Sequence, residues 1–439
     1  MTTDHAVAFA QHADPCEAPD TVSEQVRIRV LDTLAAITAG YRMPGIDATR
    51  QYARARLGGD EATLLDGCGD RCSLAGATLA NATAANTLDI DDGHRQVKGH
   101  PAAVVVPPAL AAAEASDATV GEFLNAVYIG YELAVRAGLA VHETDDVYSG
   151  TGSWGALGAA AAVAHLRELP AEAFSHALGA AAYHAPRTPI LRGVDRPSMT
   201  KDGIGWGAYT GAVAVDLAAN GFTGSGTVFD ESTVSATDTL GSTFHVTRGY
   251  LKPYPCCRWA QPGVDAVLAL RRTHDIDPQT VKSVHVHTFT EATHLDTRNP
   301  DTIEAAEYSY PYPVAVALAR GRFVPEDLLA STRRDPLVRR LAGKVELTVD
   351  DRLDARFPEE CLARVDLITD TDSYRSDVTR PRGAADRPLP AAEREQKVDA
   401  LCEPTLGDGA GDRLRSILTD RAAPVADLVV EWAETGGKQ

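Results

Sequence analysis

Through the first 250 residues, apolar positions recur at helical spacing. Val26, Val30, Leu34 and Ile37 repeat three to four apart, Thr21 and Glu24 read as a capping box ahead of them, and Gly40 is placed to stop the helix. A shorter helix is predicted over 51–57, followed by a turn region, GGDEATLLDGCGD. The run SLAGATLANATAANTL from Ser73 is rich in small residues, which lets helices approach closely. Segments 104–115 and 120–141 predict two more helices, the second apolar almost all round, as a buried helix is. Gly150, Gly152 and Gly155 then make a turn into an alanine-rich helix, 171–183 reads as helix, and Lys201 stands at the start of another long one.

Near residue 245 the texture changes. VKSVHVHTF from Val281 alternates at period two, as do 344–349 and 363–368, which predicts strands; 314–319 and 325–331 between them look helical. From Val398 the helical pattern returns. Strand and helix do not alternate along the chain, which disfavours a doubly wound nucleotide-binding sheet. The expected fold is mainly α: a large all-helical domain built from both chain ends (1–250 and 386–439) and a smaller inserted α+β lid domain (251–385).

One stretch breaks the pattern. LDIDDGHRQVKGHP, residues 88–101, packs Asp89, Asp91, Asp92, His94, Arg95, Lys98 and His100 between two alanine-rich apolar segments. Polar groups this dense beside buried segments are costly unless they pair with one another or with a ligand. A carboxylate-oriented histidine beside cations is also what acid–base chemistry on an anionic substrate needs.

Charge narrows the partners. Sixty-one acidic against 42 basic residues give a net charge of −19, which repels nucleic acid and anionic membranes. No run is long and apolar enough for a membrane span, and the acidic start does not read as a secretory signal. Seven scattered cysteines fit reduced thiols in a cytoplasmic protein. The acidic, lysine-poor composition fits a high-salt interior or, equally, an ordinary acidic protein from a GC-rich genome.

Several stretches, in order, resemble the MmgE/PrpD family: LDIDDGHR…GHPAAVVVPPALAAAE, SGTGSWGALGAAAA, MTKDGIGWGAYTGAVAVDLAANGFTG, LKPYPCCRWAQPGVDA, SYPYPVAVALARG and the PRG…RPL…K return. That family includes 2-methylcitrate dehydratase, cis-aconitate decarboxylase and iminodisuccinate epimerase. The resemblance implies an all-helical domain with a late α+β lid, a homodimer, and chemistry at the interdomain cleft with no metal or organic cofactor. Motif by motif, it places Asp89 and Asp92 on the family's acidic positions, His100 on its HP histidine, Lys201 on its TK lysine and Lys252 on the lysine of KPYP. There are departures. Gly93 stands in place of the DDT threonine, Ser149 and Gln261 stand where many members have histidine, and Cys257 with Arg258 replaces a histidine of the decarboxylase branch. These count against cis-aconitate decarboxylation.

The expected chemistry is cleavage next to a carboxylate, which needs a base, cations for the carboxylates and a donor for developing negative charge. His94, with Asp91 three residues before it, or His100 is the expected base, and the other is expected to assist loss of hydroxide. Asp89 and Asp92 are expected to set histidine tautomers, and Lys201, Lys252 and Arg258 to clamp the substrate. Cys257, Ser149 and Ser153 are further candidates for substrate contact. No HxxxH or HExxH spacing supports a metal site. The expectation is thus a cofactor-independent lyase on a small di- or tricarboxylate, closest to 2-methylcitrate dehydratase. An epimerase of the iminodisuccinate type is the alternative, and a non-catalytic carboxylate-binding member is the third reading.

Overall fold

Small side chains decide how the helices pack. The computed structural model describes residues 2–231 and 236–433. Its first part is helical: α1 (Thr2–His12), α2 (Asp20–Gly40), α3 (Ile46–Arg56), α4 (Leu74–Asn86), α5 (Pro101–Ala115), α6 (Val120–Thr144), α7 (Thr151–Leu166), α8 (Ala171–His184), short α9 (Ile190–Asp195) and α10 (Ile204–Ala219). Helix α7 is central, packed by α5, α6, α8 and α10. Gly130 of α6 meets Gly158 of α7 so closely that a Cβ on either would lie 2.7 or 2.4 Å from the other's carbonyl oxygen. A larger residue there forces the two backbones apart.

Caps set several boundaries. The Ser73 hydroxyl accepts from the Gly76 N–H at the start of α4, and Thr119 with Glu122 forms a reciprocal box at α6. The box expected at Thr21 and Glu24 is absent. Pro19 takes the cap position, so α2 begins at Asp20 and Thr21 lies inside the first turn. A small hairpin, β1 (Ala62–Thr63) with β2 (Arg71–Cys72), occupies the turn region between α3 and α4.

The later part holds α11 (Gln261–Thr273), β3 (Val281–Thr288), α12 (Ile303–Glu307), α13 (Pro311–Arg320), α14 (Ala330–Arg333), α15 (Pro336–Ala342), β4 (Val345–Val349), α16 (Asp351–Asp354), β5 (Arg364–Thr369) and β6 (Ser373–Arg375). The sheet order is β4-β3-β5-β6, with β3 parallel to β4 and antiparallel to β5. Register places Val284 between Val345 and Leu367, all buried, with Val286 and Val365 beside them on the same face. Helices α11 and α13 pack on β5 and β4. The three expected strands are therefore present, whereas 325–331 divides into a 3₁₀ turn (Pro325–Leu328) and α14.

The chain then returns. α17 (Ala391–Leu406) and α18 (Ala410–Thr419) pack on α2, and α19 (Val425–Ala433) packs on α5. Trp432 Nε1 donates to Thr38 Oγ1 at 3.0 Å, and Lys397 Nζ reaches Asp32 (2.5 Å) and the Ile90 carbonyl (2.8 Å). The expected helical return is thus seen to residue 433; residues 434–439, assigned to it from the sequence, lie outside the described residues. Buried apolar side chains form one continuous cluster through both parts, and the fold is mainly α. Among the described residues no helix is long and apolar enough to cross a membrane.

Candidate active site

The polar stretch 87–100 becomes a tight loop between α4 and α5. Asp89 takes a left-handed backbone (φ 48°) just after the end of α4. Gly93 and Tyr250 exchange backbone hydrogen bonds (2.9 and 2.7 Å), and the His94 N–H closes onto the Gly99 carbonyl (2.8 Å). Buried Val97 anchors the tip: a Cβ on Gly138 of α6 would lie 2.7 Å from its Cγ1. Gly93 now has a physical reason, since a Cβ there would lie 2.3 Å from the Tyr250 ring. The aromatic ring fills the space that a threonine would need.

His100 sits at the cap position of α5, and its backbone N–H donates to Thr151 Oγ1 (3.0 Å). Its Nδ1 is 2.9 Å from the Asp92 carbonyl and 2.8 Å from Asp91 Oδ2, while Nε2 faces Asp89 Oδ1 (3.5 Å) and Asp202 Oδ2 (3.9 Å). Burial opposes its charged form, but Asp91 outweighs that and lifts the imidazole pKa to about 9. His100 therefore carries its proton at neutral pH. Burial pushes Asp91 upward, yet His100, Lys252 and the Asn86 amide (3.0 Å) win and hold it below the usual carboxylate range.

Lys252 is buried and donates to the Asp89 carboxylate (2.5 Å) and carbonyl (2.7 Å). Its pKa is raised because Asp89 and Asp91 overcome the burial that opposes its charge. Asp202 accepts from the Thr151 hydroxyl (3.1 Å), and burial raises its pKa against the pull of His100. Asp89, His100, Asp202, Lys252, Cys257 and Tyr308 all line one cavity, with about 60 Å³ open to the centres of water-sized molecules. A larger groove of about 920 Å³ beside Arg167 and Asp216 is roomier, but it gathers no comparable set of buried charges. Convergence of charge, and not volume, singles out the site.

The other candidates sort differently. Arg258 lines the cavity, stacks 4.2 Å over Tyr250, and bonds Gln261 (3.0 Å) and the Arg382 carbonyl (2.7 Å). Gln261 thus serves as its acceptor. Cys257 lines the cavity, but burial holds its thiol far above the usual range, so it is no ready nucleophile. Lys201 is drawn aside. Its ammonium donates to the Asn86 (2.6 Å) and Thr87 (2.7 Å) carbonyls and pairs with buried Glu307. It precedes α10 by a turn instead of opening it. Burial lifts the Glu307 carboxyl to about 8, with Lys201 opposing.

Like Lys201, four further candidates lie off the cavity lining. Asp92 accepts from the Ala102 N–H (3.0 Å) and the Tyr131 hydroxyl (3.0 Å), and burial raises its pKa to about 6. His94 is 1% exposed and packs edge-on to His245, centroids 5.5 Å apart. Its expected partner, Asp91, faces His100 instead, because the loop is not helical and three-residue spacing does not align side chains there. Burial, with help from His245 and Arg29, pushes His94 well below its usual pKa. The Ser149 hydroxyl donates to the Val147 carbonyl (3.3 Å), and Ser153 sits within α7.

Asp89, Asp91 and His100 bring donor atoms within 4.8 Å of one another, as a metal site would. The ammonium of Lys252 already lies against Asp89, where a cation would bind. Sequence reasoning missed Asp202 and Tyr308 as cavity residues. Asp202 directly follows the TK lysine, and Tyr308 directly precedes the SYPYP motif, so motif adjacency was the available signal.

Two comparisons with known proteins agree. Cis-aconitate decarboxylase of Aspergillus terreus (strain NIH 2624 / FGSC A1156) is 25% identical over 287 residues, 59% of this chain and 58% of that one. A second cis-aconitate decarboxylase of Aspergillus terreus is 24% identical over 342 residues, 69% of this chain and 68% of that one. The alignment thus spans less than two thirds of the first relative's length. The MmgE/PrpD N-terminal domain matches residues 5–243 and the MmgE/PrpD C-terminal domain matches 254–420, so this chain belongs to the MmgE/PrpD family.

Proposed function

We propose that the protein is a lyase that eliminates water from a small polycarboxylate, with 2-methylcitrate as the nearest substrate type. One observation carries this: a protonated imidazole, His100, faces a small cavity beside a buried carboxylate of raised pKa, Asp202, and a buried ammonium, Lys252. In a β-hydroxy acid, Asp202 takes the proton α to one carboxylate. That C–H pair becomes the new C=C bond, the C–O bond breaks, and the departing hydroxide takes the Nε2 proton of His100 and leaves as water. Lys252 and Arg258 hold the carboxylates, and Tyr308 is placed to donate to the enediolate-like charge. His100 is thereby the acid in this reading, one of the two roles the sequence left open between His94 and His100. Asp91 is the group that keeps it charged.

Incubation with 2-methylcitrate or citrate should raise ultraviolet absorbance as a conjugated alkene forms, and His100→Gln should abolish the rise. No absorbance change with any β-hydroxy polycarboxylate sinks the dehydratase. A second reading, decarboxylation, is favoured by the two relatives' activity. There the C–C bond to CO₂ breaks and His100 protonates the carbon left behind; CO₂ release from cis-aconitate would establish it. Solvent deuterium entering an aminodicarboxylate without elimination would mark an epimerase instead.

The proposal extends to assembly and layout. Exposed Tyr52, Met199 and Trp206 line one groove, an apolar surface that a second copy of the chain would cover; light scattering at twice the chain mass checks the homodimer. Packing of α17 and α18 on α2 supports the division into 1–250 with 386–439 and 251–385. The free cysteines fit a reducing, cytoplasmic setting.

A further inference from the structure

Resting on the reading of this cavity as a carboxylate site, we propose that Arg95 and Lys98, on the 94–99 loop, bind with Arg258 a carboxylate remote from His100 and make the site select acids with three carboxylates over acids with two. The loop is built to present them. Between the closing bond of His94 and Gly99, Val97 turns inward against α6 while Arg95 and Lys98 reach the cavity lining. Lys98 takes a left-handed backbone (φ 50°) to do so.

None of these three cations has an acidic partner at ion-pair distance among the described residues. Arg95 donates to the Glu359 carbonyl (3.0 Å) and Cys361 Sγ (2.9 Å), lies 5.5 Å over Phe357, and its Nη2 is buried without a hydrogen-bond partner. The Lys98 ammonium lies 4.5 Å over the Tyr148 ring. Arg258 rests on Tyr250, Gln261 and backbone carbonyls. By contrast, Lys252, Lys201 and Lys397 are matched, with Asp89, Glu307 and Asp32.

Three cations without an acidic partner thus meet at one cavity, in a chain of net charge −19. Arg95 also repels both Lys98 and Arg258, lowering their pKa beyond the larger effect of burial. Counting His100 and Lys252, lining cations outnumber Asp89, Asp202 and Asp91 by two, and by three where Asp202 holds its proton. Like charges gathered without counterions around one cavity are costly, and a ligand carboxylate removes both the repulsion and the orphaned Nη2 donor. Lys252 and His100 already serve the reacting end, so Arg95, Lys98 and Arg258 are left for an additional carboxylate.

The test compares propane-1,2,3-tricarboxylate with pentanedioate, the same carbon chain without the central carboxylate, by titration calorimetry. Wild-type protein should bind the tricarboxylate at least about ten-fold more tightly, as one charge-assisted contact supplies. Arg95→Gln with Lys98→Gln should remove that preference while pentanedioate affinity changes less than about three-fold. Lys98→Gln alone, at a half-buried position, should narrow it and keeps the test valid if the double variant fails to fold. Equal affinities in wild type, or a preference that survives the substitutions, overturn the inference and leave the carboxylate site standing. Binding of neither acid to wild type overturns both.

Discussion

The two histidines of one loop have opposite fates. His100 looks into the cavity between Asp89 and Asp202 with Asp91 at its back, and it is charged. His94 turns away, meets the His245 ring, and is neutral, as is His245, whose pKa burial, Arg136 and Arg248 push down to about 3. Both rings are buried, so burial alone does not separate them. The sign of the neighbours does: carboxylates around one, an imidazole and guanidinium groups around the other.

The comparison breaks most visibly at His100. His100→Gln should lower kcat by about 10²–10⁴-fold with an unchanged circular dichroism spectrum, the scale of a lost general acid. Turnover within ten-fold of wild type would remove His100 from the chemistry. Next in size is Lys252→Ala, which leaves buried Asp89 with only His100, 3.5 Å away, as a cationic partner. It should cost about 3–5 kcal/mol in urea unfolding, part of which Asp89→Asn restores in the double variant.

Asp91→Asn sharpens the contrast, because it removes the charge that outweighs burial at His100. The alkaline limb of the rate profile, near pH 9 in wild type, should move toward neutrality. Stability should follow the same group. The folded pKa of His100 lies above its free value of about 6.5, so its contribution is full below that pH and is lost as pH rises through about 9. Thermal melts from pH 6 to 9.5 should show this decline in wild type and much less of it in Asp91→Asn. The smallest effect is predicted for the other ring. His94→Gln should change kcat less than about ten-fold, and proton NMR should find His94 uncharged at pH 6. If His94 titrates near 9 instead, the contrast between the two rings is lost.

Much of this was legible in the chain. The helices around 120–141 and the strands at 281–289, 344–349 and 363–368 follow from periodicity, because burial of one face imposes the period. The density of charge at 88–101 pointed to the candidate site, since such groups fold only when matched. Misreadings arose where helical spacing was applied to a loop, as in assigning Asp91 to His94, and where a motif lysine was assumed free. Lys201 is instead held by Glu307 and two carbonyls, all from segments distant in sequence.

The sequence by itself determined the family, the mainly α class and the stretch that carries the polar groups, because pattern and ordered motifs are local properties of the chain. Only the tertiary structure decided which histidine is charged, that Asp202, Tyr308 and Arg258 share one cavity, and that Arg95 and Lys98 stand there without counterions. Protonation and charge balance depend on distances between groups far apart in the chain, and those distances exist only once it has folded.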